Sequence, residues 1–166
     1  ITLKEGADYY VTATITPEDT TESYTWKSSN EEVATVSDGY ISGQGLGECI
    51  ISVVSDKGIK AECKVTVVRD IIEITDSNQF ESEHPYSSDI NQYWEYKKAG
   101  VESLNLTFSK ETCTEDGYDY IYIYDGFDNE IGRYTGNQLA GATIKIAGDT
   151  VRIRLTSDGS GEYYGF

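Results

Sequence analysis

Short segments of alternating apolar and polar side chains follow one another along most of the chain, with turn-forming residues between them. Leu104, Leu106 and Phe108, for example, alternate with Asn105 and Thr107. A period of two is typical of a strand with one buried face, and no segment carries the apolar stripe of a helix. Because the turn residues recur about every eight to twelve positions, the pattern predicts an all-β chain built of antiparallel β-sandwiches.

The alternation fades near residue 70, and acidic and aromatic residues are denser after that point. A chain of 166 residues fits two compact units better than one, because small domains have about 100 residues each. We therefore expect two β-sandwich domains in tandem, over residues 1–69 and 78–166, with a linker at 70–77. The strand pattern stops early at Phe166, which predicts that the C-terminal end of the second sandwich is truncated.

The chain is strongly acidic, with a formal net charge of −16 at pH 7. Residues 70–166 contribute −11 of this charge, from eighteen acidic and seven basic residues. Binding to a phosphate backbone depends on clustered Lys and Arg, so this charge excludes nucleic acid as a partner. The sequence also has no apolar run near the ~20 residues of a membrane span, so we expect no direct membrane insertion.

Residues that would carry catalysis are scarce. The one histidine, His84, precedes Pro85 in an expected loop, and the sequence has no His and Cys cluster for a zinc site or a nucleophile with its base. Several carboxylates are close in sequence, but nothing singles out an acid–base pair among them. We therefore expect a chain that is not an enzyme.

The first unit contains a series of short motifs in a characteristic order. They are Gly6, Thr16-Pro17-Glu18, Tyr24 to Asn30, Val33 to Val36, Gly39 to Gly43, Gly45 to Gly47 and Cys63 to Val67. With these motifs, the first unit resembles the bacterial immunoglobulin-like domain of group 2. The resemblance implies a spacer or adhesion module without catalysis, in a secreted or surface-anchored bacterial protein, so we expect an extracellular location.

Cys49 and Cys63 lie on two strands that a turn joins as a hairpin. Cys49 has the strand parity of Ile51 and Cys63 has that of Val65, so both thiols are expected to face the core. Cysteines on neighbouring strands can bridge only when their Cα atoms lie within ~7 Å. The sequence leaves open whether these two form a disulfide or remain buried thiols.

The second unit has its own ordered set of motifs, in which tyrosine and aspartate are prominent. They are Tyr86, Leu104 to Phe108, Tyr118 to Gly126, Ile131 to Gly136, Val151 to Ser160 and Gly165-Phe166. This unit resembles a CUB domain, an extracellular β-sandwich of jelly-roll type that binds proteins and sometimes carbohydrates. It departs from the animal pattern of paired cysteines, since Cys113 is the only cysteine here.

The resemblance implies a calcium site. Many CUB domains hold Ca²⁺ through a Glu, an Asp eight positions later and an Asp before the final strand, which correspond to Glu111, Asp119 and Asp158. Tyr86 would brace these acids through its hydroxyl. The chemistry agrees, because Ca²⁺ takes roughly six to eight oxygen ligands, and gathered carboxylates repel one another without a cation.

The same resemblance implies a partner. In calcium-binding CUB domains the ordered acids accept a Lys or Arg side chain, so we expect an extracellular protein with exposed Lys or Arg residues as the ligand. The Ig-like unit would then act as a spacer that presents the CUB-like module. A purely structural stalk of a larger surface enzyme is another interpretation.

A cell-surface glycan is the alternative ligand. Tyr118, Tyr120, Tyr122 and Tyr124 share strand parity, and with Trp94 and Tyr96 they would form a platform on which sugar rings stack. These tyrosines could also simply cover a sheet face. An open row of coplanar rings would favour the glycan, whereas exposed acids around an ion would favour a basic protein.

Overall fold

The computed structural model describes residues 1–14, 23–75 and 77–166. Every regular element in these ranges is a β-strand, and the all-β prediction is confirmed. The Thr16-Pro17-Glu18 motif lies outside the described residues. The chain forms two compact units that meet in sequence between Asp70 and Ile71.

The first unit contains a four-stranded and a three-stranded sheet. Its strands are β1 (Thr2–Lys4), β2 (Asp8–Tyr10), β3 (Tyr24–Ser28), β4 (Ala34–Ser37), β5 (Tyr40–Gly43), β6 (Gly47–Ser55) and β7 (Lys60–Val68). The sheet orders are β1-β7-β6-β3 and β2-β5-β4. Strand β1 runs parallel to β7, and the other described pairs of this unit are antiparallel.

The core of the first unit follows from the alternation in its two longest strands. Ile51 on β6 and Val65 and Val67 on β7 are buried, and Ile41 from the facing sheet packs against them. Trp26 is half-buried at the margin of this core. The apolar face of each sheet is thereby removed from water, which is the main source of stability in a sandwich.

The two cysteines of this unit face the core without bonding to each other. The register pairs Cys49 with Val65 and Ile51 with Cys63, so the cysteines are diagonal neighbours. Diagonal positions are about 7–8 Å apart, which is too far for a disulfide without backbone movement. All three cysteines of the chain are free thiols, so the structure has thiols in place of a disulfide. Burial raises the pKa of the Cys63 thiol.

The second unit pairs a five-stranded sheet with a two-stranded sheet. Its strands are β8 (Ile71–Ile74), β9 (Asn91–Lys97), β10 (Ser103–Thr107), β11 (Tyr120–Asp125), β12 (Glu130–Tyr134), β13 (Thr143–Ala147) and β14 (Thr150–Thr156). The sheet orders are β12-β11-β14-β9-β8 and β10-β13. Side chains of both sheets meet in one core, with Ile123, Ile153 and Leu155 fully buried.

Strand β8 lies within residues 70–77, where we expected a linker. Ile71–Ile74 pairs in parallel with β9 and forms the edge of the five-stranded sheet. The expectation was wrong for this segment because the alternation in Ile71-Ile72-Glu73-Ile74 is too short to indicate a strand by itself. Hydrogen bonding to β9 supplies the order that the local sequence does not predict.

Candidate functional site

Three carboxylates meet at one end of the second unit, where β11 begins and β14 ends. Asp119 directly precedes β11, Asp158 follows β14, and Glu115 lies in the loop before β11. One carboxylate oxygen of each lies within 4.8 Å of the others. The antiparallel register explains part of this, because Tyr120 at the start of β11 is opposite Thr156 at the end of β14. We call these three residues the acidic cluster.

The loop before β11 turns so that two members of the acidic cluster face each other. The amides of Tyr118 and Asp119 donate hydrogen bonds of 3.4 and 3.1 Å to the carbonyl of Glu115. In such a helix-like turn, residues four apart lie on the same side. The Thr135 hydroxyl anchors the turn, since it donates to the Glu115 carbonyl at 3.0 Å and accepts from the Gly117 amide at 2.8 Å.

Asp119 is fully buried, and both of its carboxylate oxygens accept hydrogen bonds. The Tyr86 hydroxyl donates to Oδ2 at 2.5 Å, and the amide of Asp158 donates to Oδ1 at 2.9 Å. The same hydroxyl accepts a 3.1 Å bond from the amide of Glu115. Burial and the bond to Asp119 raise the pKa of Tyr86, which keeps its proton on the hydroxyl and available to Asp119.

Glu115 is the member of the cluster whose hydrogen bonding is incomplete. Its Oε2 atom is buried and has no hydrogen-bond partner among the residues that the structure describes. Burial, followed by the negative charges of Asp158, Asp119 and Glu162, raises the pKa of Glu115. The ionised form of this side chain is therefore penalised unless a positive charge binds beside it.

Gly161 closes the loop after β14 over the cluster. Its φ is +78°, a conformation that favours glycine. A Cβ atom at this position would overlap Oε2 of Glu115. The absence of a side chain thus lets the backbone approach the carboxylate, and the Gly161 carbonyl lies 3.3 Å from the Tyr86 hydroxyl.

The donors at this end of the sandwich suit a hard divalent cation. They are carboxylate oxygens with a backbone carbonyl nearby, which is the ligand chemistry of Ca²⁺. Oε2 of Glu115 is buried and has no hydrogen-bond partner among the described residues. The residues present therefore fit a Ca²⁺ ion.

Glu111 does not join Asp119 and Asp158, contrary to the expectation from sequence. It lies on an exposed turn, where its amide donates a 3.2 Å hydrogen bond to the Ser109 hydroxyl. Its carboxylate faces Tyr164. Burial of the Tyr164 hydroxyl raises the pKa of that group most, and the negative charge of Glu111 is the next largest cause.

A backbone bridge separates Glu111 from the cluster. Cys113 and Gly165 exchange two backbone hydrogen bonds of 3.0 and 2.8 Å, which carry the chain away from Glu111 before it turns at Glu115. Glu115 is therefore the third acid beside Asp119. Glu115 is four residues before Asp119, and a single helix-like turn brings residues at that spacing together. The expectation from sequence used a spacing of eight residues, which selected Glu111 instead.

Comparison with known protein families shows that two family models match this chain. A family model described as CUB domain matches residues 63–166, more than half of the chain. The chain belongs to the CUB domain family. A second model, described as bacterial Ig-like domain (group 2), matches residues 1–65. The two families are present in tandem, as predicted.

Individual relatives match parts of this chain only. The minor capsid protein of Enterobacteria phage T3 is 39% identical over 67 residues, which are 40% of this chain and 16% of that protein. The human E3 ubiquitin-protein ligase HERC2 is 28% identical over 88 residues, 52% of this chain and 2% of that protein. Human tolloid-like protein 2 is 37% identical over 70 residues, 40% of this chain and 7% of that protein. The matches thus cover only a small part of each relative's length.

The two families indicate the general role. Both are non-catalytic domain families whose members are typically extracellular or surface domains, and together they indicate a surface or extracellular binding module. Within the described part of the chain, no helix has the length and apolar character needed to cross a membrane.

The CUB domain also carries tyrosines on the outward face of its five-stranded sheet. Tyr120, Tyr122 and Tyr124 of β11 are half-buried there. The rings of Tyr122 and Tyr124 are nearly parallel at 6.3 Å, whereas those of Tyr120 and Tyr122 are tilted by 49°. Arg133 lies 5.0 Å above the ring of Tyr120, and Arg154 lies 5.2 Å from that of Tyr122. The rings are therefore partly covered by guanidinium groups.

The other aromatic residues expected on this platform lie elsewhere in the CUB domain. Tyr118 is 65% exposed and belongs to the turn before β11, so it is outside the strand row. Trp94 is buried in the core, where its ring packs edge-on against Phe166 at 5.0 Å. The Tyr96 ring stacks on Phe80 at 6.3 Å. The expectation failed for Trp94 and Tyr96 because their parity on β9 directs them to the inner face.

Proposed function

We propose that the CUB domain of this chain binds Ca²⁺ in the acidic cluster and thereby recognises a basic group of an extracellular protein. One observation carries this proposal. Oε2 of Glu115 is buried without a hydrogen-bond partner among the described residues. One carboxylate oxygen of this residue lies within 4.8 Å of one from Asp119 and one from Asp158. A buried, unpaired carboxylate oxygen is costly, and a bound cation removes that cost.

The residues around the cluster support a metal site rather than a simple acidic surface. The Tyr86 hydroxyl and the Asp158 amide orient Asp119 in the way that outer hydrogen bonds fix a metal ligand. Ca²⁺ would supply positive charge that neutralises the three carboxylates. The affinity expected for an extracellular module of this kind is ~10⁻⁴ to 10⁻³ M.

The exposure of Asp158 supports recognition of a partner. Asp158 lies at the surface, whereas Asp119 is fully buried, so Asp158 can accept a Lys or Arg side chain from outside. The net charge of −11 over residues 70–166 would attract a basic protein surface and speed its association. The proposed partner is therefore an extracellular protein with exposed Lys or Arg residues.

The proposal assigns no catalysis to the chain. The Ig-like unit would serve as a spacer in a secreted or surface-anchored bacterial protein, which is consistent with the two families. A platform for neutral sugars has less support, because the rings of Tyr120 and Tyr122 are tilted by 49° and so do not form a coplanar row.

A labelled oligolysine peptide tests the proposal, with binding to the full chain measured by fluorescence anisotropy in millimolar Ca²⁺ and in EDTA. We expect Ca²⁺ to strengthen binding. General attraction between the acidic chain and the peptide should instead weaken, because Ca²⁺ neutralises and screens negative charge. The sign of the calcium effect therefore separates a specific site from general electrostatics.

Two variants with the same change of charge complete this test. Glu115→Gln removes a cluster acid, and Glu111→Gln removes an exposed acid outside the cluster. We expect only Glu115→Gln to abolish the effect of Ca²⁺ on peptide binding. Binding that weakens with Ca²⁺ in the parent chain, or equal effects of the two variants, would contradict the proposal.

A further inference from the structure

Four residues form a straight row across the outward face of the five-stranded sheet. Tyr93 on β9 is opposite Arg154 on β14, Arg154 is opposite Tyr122 on β11, and Tyr122 is opposite Arg133 on β12. Aromatic rings and guanidinium groups thus alternate across four adjacent strands. We call these four residues the Tyr–Arg row.

The arginines of this row have aromatic and amide contacts in place of acidic ones. Arg154 lies 5.2 Å from the rings of both Tyr93 and Tyr122, and its Nε donates to Oδ1 of Asn91 at 2.8 Å. Arg133 is exposed and lies over Tyr120. Within the described ranges, neither arginine forms an ion pair with a carboxylate, although the chain has 29 acidic residues and 13 Lys and Arg residues.

A third arginine on the same face shows the contrast. Arg152 forms ion pairs with Glu95 at 2.5 Å and with Asp128 at 2.8 Å, so two carboxylates of the chain already occupy this guanidinium group. Glu73 lies on the edge strand β8, and Glu130 on β12 is opposite Tyr124. Of the three arginines on this face, Arg133 and Arg154 are therefore the ones left to pair with an external anion.

We propose that the Tyr–Arg row binds an acidic polysaccharide, a linear glycan whose sugars carry carboxylates. Guanidinium groups bind carboxylates with paired hydrogen bonds, and aromatic rings pack against the apolar faces of sugars. Arg133 and Arg154 are two strands apart, which corresponds to about 10 Å at the usual strand spacing. The row therefore offers two anion contacts with a ring between them, along one line.

A uronate sugar fits this row better than an acidic polypeptide does. Each uronate sugar combines a flat apolar face with a carboxylate on one rigid unit, which matches the alternation of ring and guanidinium. The carboxylates of a polypeptide lie at the ends of flexible stems, and holding them in place costs side-chain entropy. None of the four residues belongs to the acidic cluster, so this binding is independent of Ca²⁺ and of the function proposed above.

Polygalacturonate oligosaccharides provide the probe, and fully methyl-esterified chains of the same length are the neutral control. Binding to the full chain is measured in EDTA, by calorimetry or by electrophoresis in gels that contain the polymer. We expect binding to polygalacturonate that weakens with added NaCl, and binding at least about tenfold weaker to the ester, as expected when charge-assisted hydrogen bonds are lost.

Two variants with the same change of charge distinguish binding at the Tyr–Arg row from an effect of the net charge of the protein. Arg133→Gln should weaken binding to polygalacturonate at least about tenfold. Lys145→Gln removes the same charge from an exposed position on β13, in the other sheet, and should leave binding unchanged. Tyr122→Phe keeps the aromatic ring and should retain binding.

The opposite results would overturn the inference. They are no binding of polygalacturonate by the parent chain, equal losses in Arg133→Gln and Lys145→Gln, or oligoglutamate binding as tightly as the polysaccharide. The last result would assign the row to acidic proteins instead. Circular dichroism of each variant confirms that the sheet is intact before binding is compared.

Discussion

The Tyr86 hydroxyl donates a 2.5 Å hydrogen bond to Oδ2 of Asp119, and both side chains are fully buried. The same hydroxyl accepts a hydrogen bond from the Glu115 amide, so one group orders two members of the acidic cluster. The packing of Tyr86 in the core therefore affects the positions of the groups that are proposed to bind Ca²⁺. A core tyrosine thereby contacts two of the three acids of the cluster.

Replacing Tyr86 with Phe should therefore cost both stability and metal affinity. The variant leaves Oδ2 of Asp119 without its donor, and we expect a loss of about 1–3 kcal/mol in the free energy of unfolding measured in EDTA. Ca²⁺ affinity should fall about 10- to 100-fold. Tyr134→Phe is the control, because the Tyr134 hydroxyl has no hydrogen bond among the described residues, and similar losses in both variants would argue against the role of Tyr86.

Gly161→Ala tests whether the close approach of the backbone to Glu115 matters. Both Gly161 and Gly148 have positive φ, but an added Cβ meets no atom within 4 Å at Gly148 and meets the Glu115 carboxylate at Gly161. Each alanine variant should lose about 1–2 kcal/mol through backbone strain. Only Gly161→Ala should also weaken Ca²⁺ binding, measured by titration, and equal affinities in the two variants would contradict this.

The turn after β11 should make stability depend on pH. Oδ1 of Asp125 accepts bonds from the amides of Phe127 and Asn129, at 2.8 and 3.0 Å, and the Asn129 side chain donates to Oδ2 at 2.8 Å. These bonds, led by that from the Asn129 side chain, lower the pKa of Asp125. Asp125 therefore contributes stability above about pH 4, the value for an unfolded Asp, and this contribution is lost as the pH falls through the lower folded pKa.

Asp125→Asn should accordingly be less stable than the parent chain at pH 7, and the difference should shrink in acid. Thermal unfolding from pH 7 to pH 3 measures it. Glu130→Gln removes the same charge from the neighbouring exposed position and should change stability little at either end of this range. A difference for Asp125→Asn that stays constant with pH would show that the carboxylate charge plays no part.

The thiols can be counted directly. We expect alkylation of the denatured, unreduced chain to modify Cys49, Cys63 and Cys113, because all three are free in the structure. Intact mass spectrometry gives the number of adducts. A chain that accepts one adduct before reduction and three after it would instead contain a disulfide between two of these cysteines.

Much of the fold could be predicted because it depends on local patterns. The alternation around Leu104 and Phe108 and the glycine-rich turns predict strands and their buried faces. Strand β8 could not be predicted, since Ile71–Ile74 is ordered by pairing with β9 and carries little pattern itself. The state of the cysteines also depends on strand pairing that the local pattern does not give. Parity placed Cys49 and Cys63 on one face, but only the register shows that they are diagonal neighbours.

The site could be predicted only in part, for a related reason. Asp119 and Asp158 flank strands, and strand pairing brings strand ends together. Glu115 lies in a loop whose path depends on the bridge between Cys113 and Gly165, which are far apart in sequence. A spacing rule alone favoured Glu111. Loop geometry of this kind depends on long-range contacts, so the third acid required the structure.

Calcium-dependent stability of matched charge variants tests the central claim most directly. The free energy of unfolding of the parent chain, Glu115→Gln and Glu111→Gln is measured in EDTA and in Ca²⁺ at about 10–100 times the dissociation constant, where one site adds about 1.4–2.7 kcal/mol. We predict this gain for the parent chain and Glu111→Gln, and no gain for Glu115→Gln. No gain in the parent chain, or a gain lost in Glu111→Gln and kept in Glu115→Gln, would contradict the assignment of the acidic cluster.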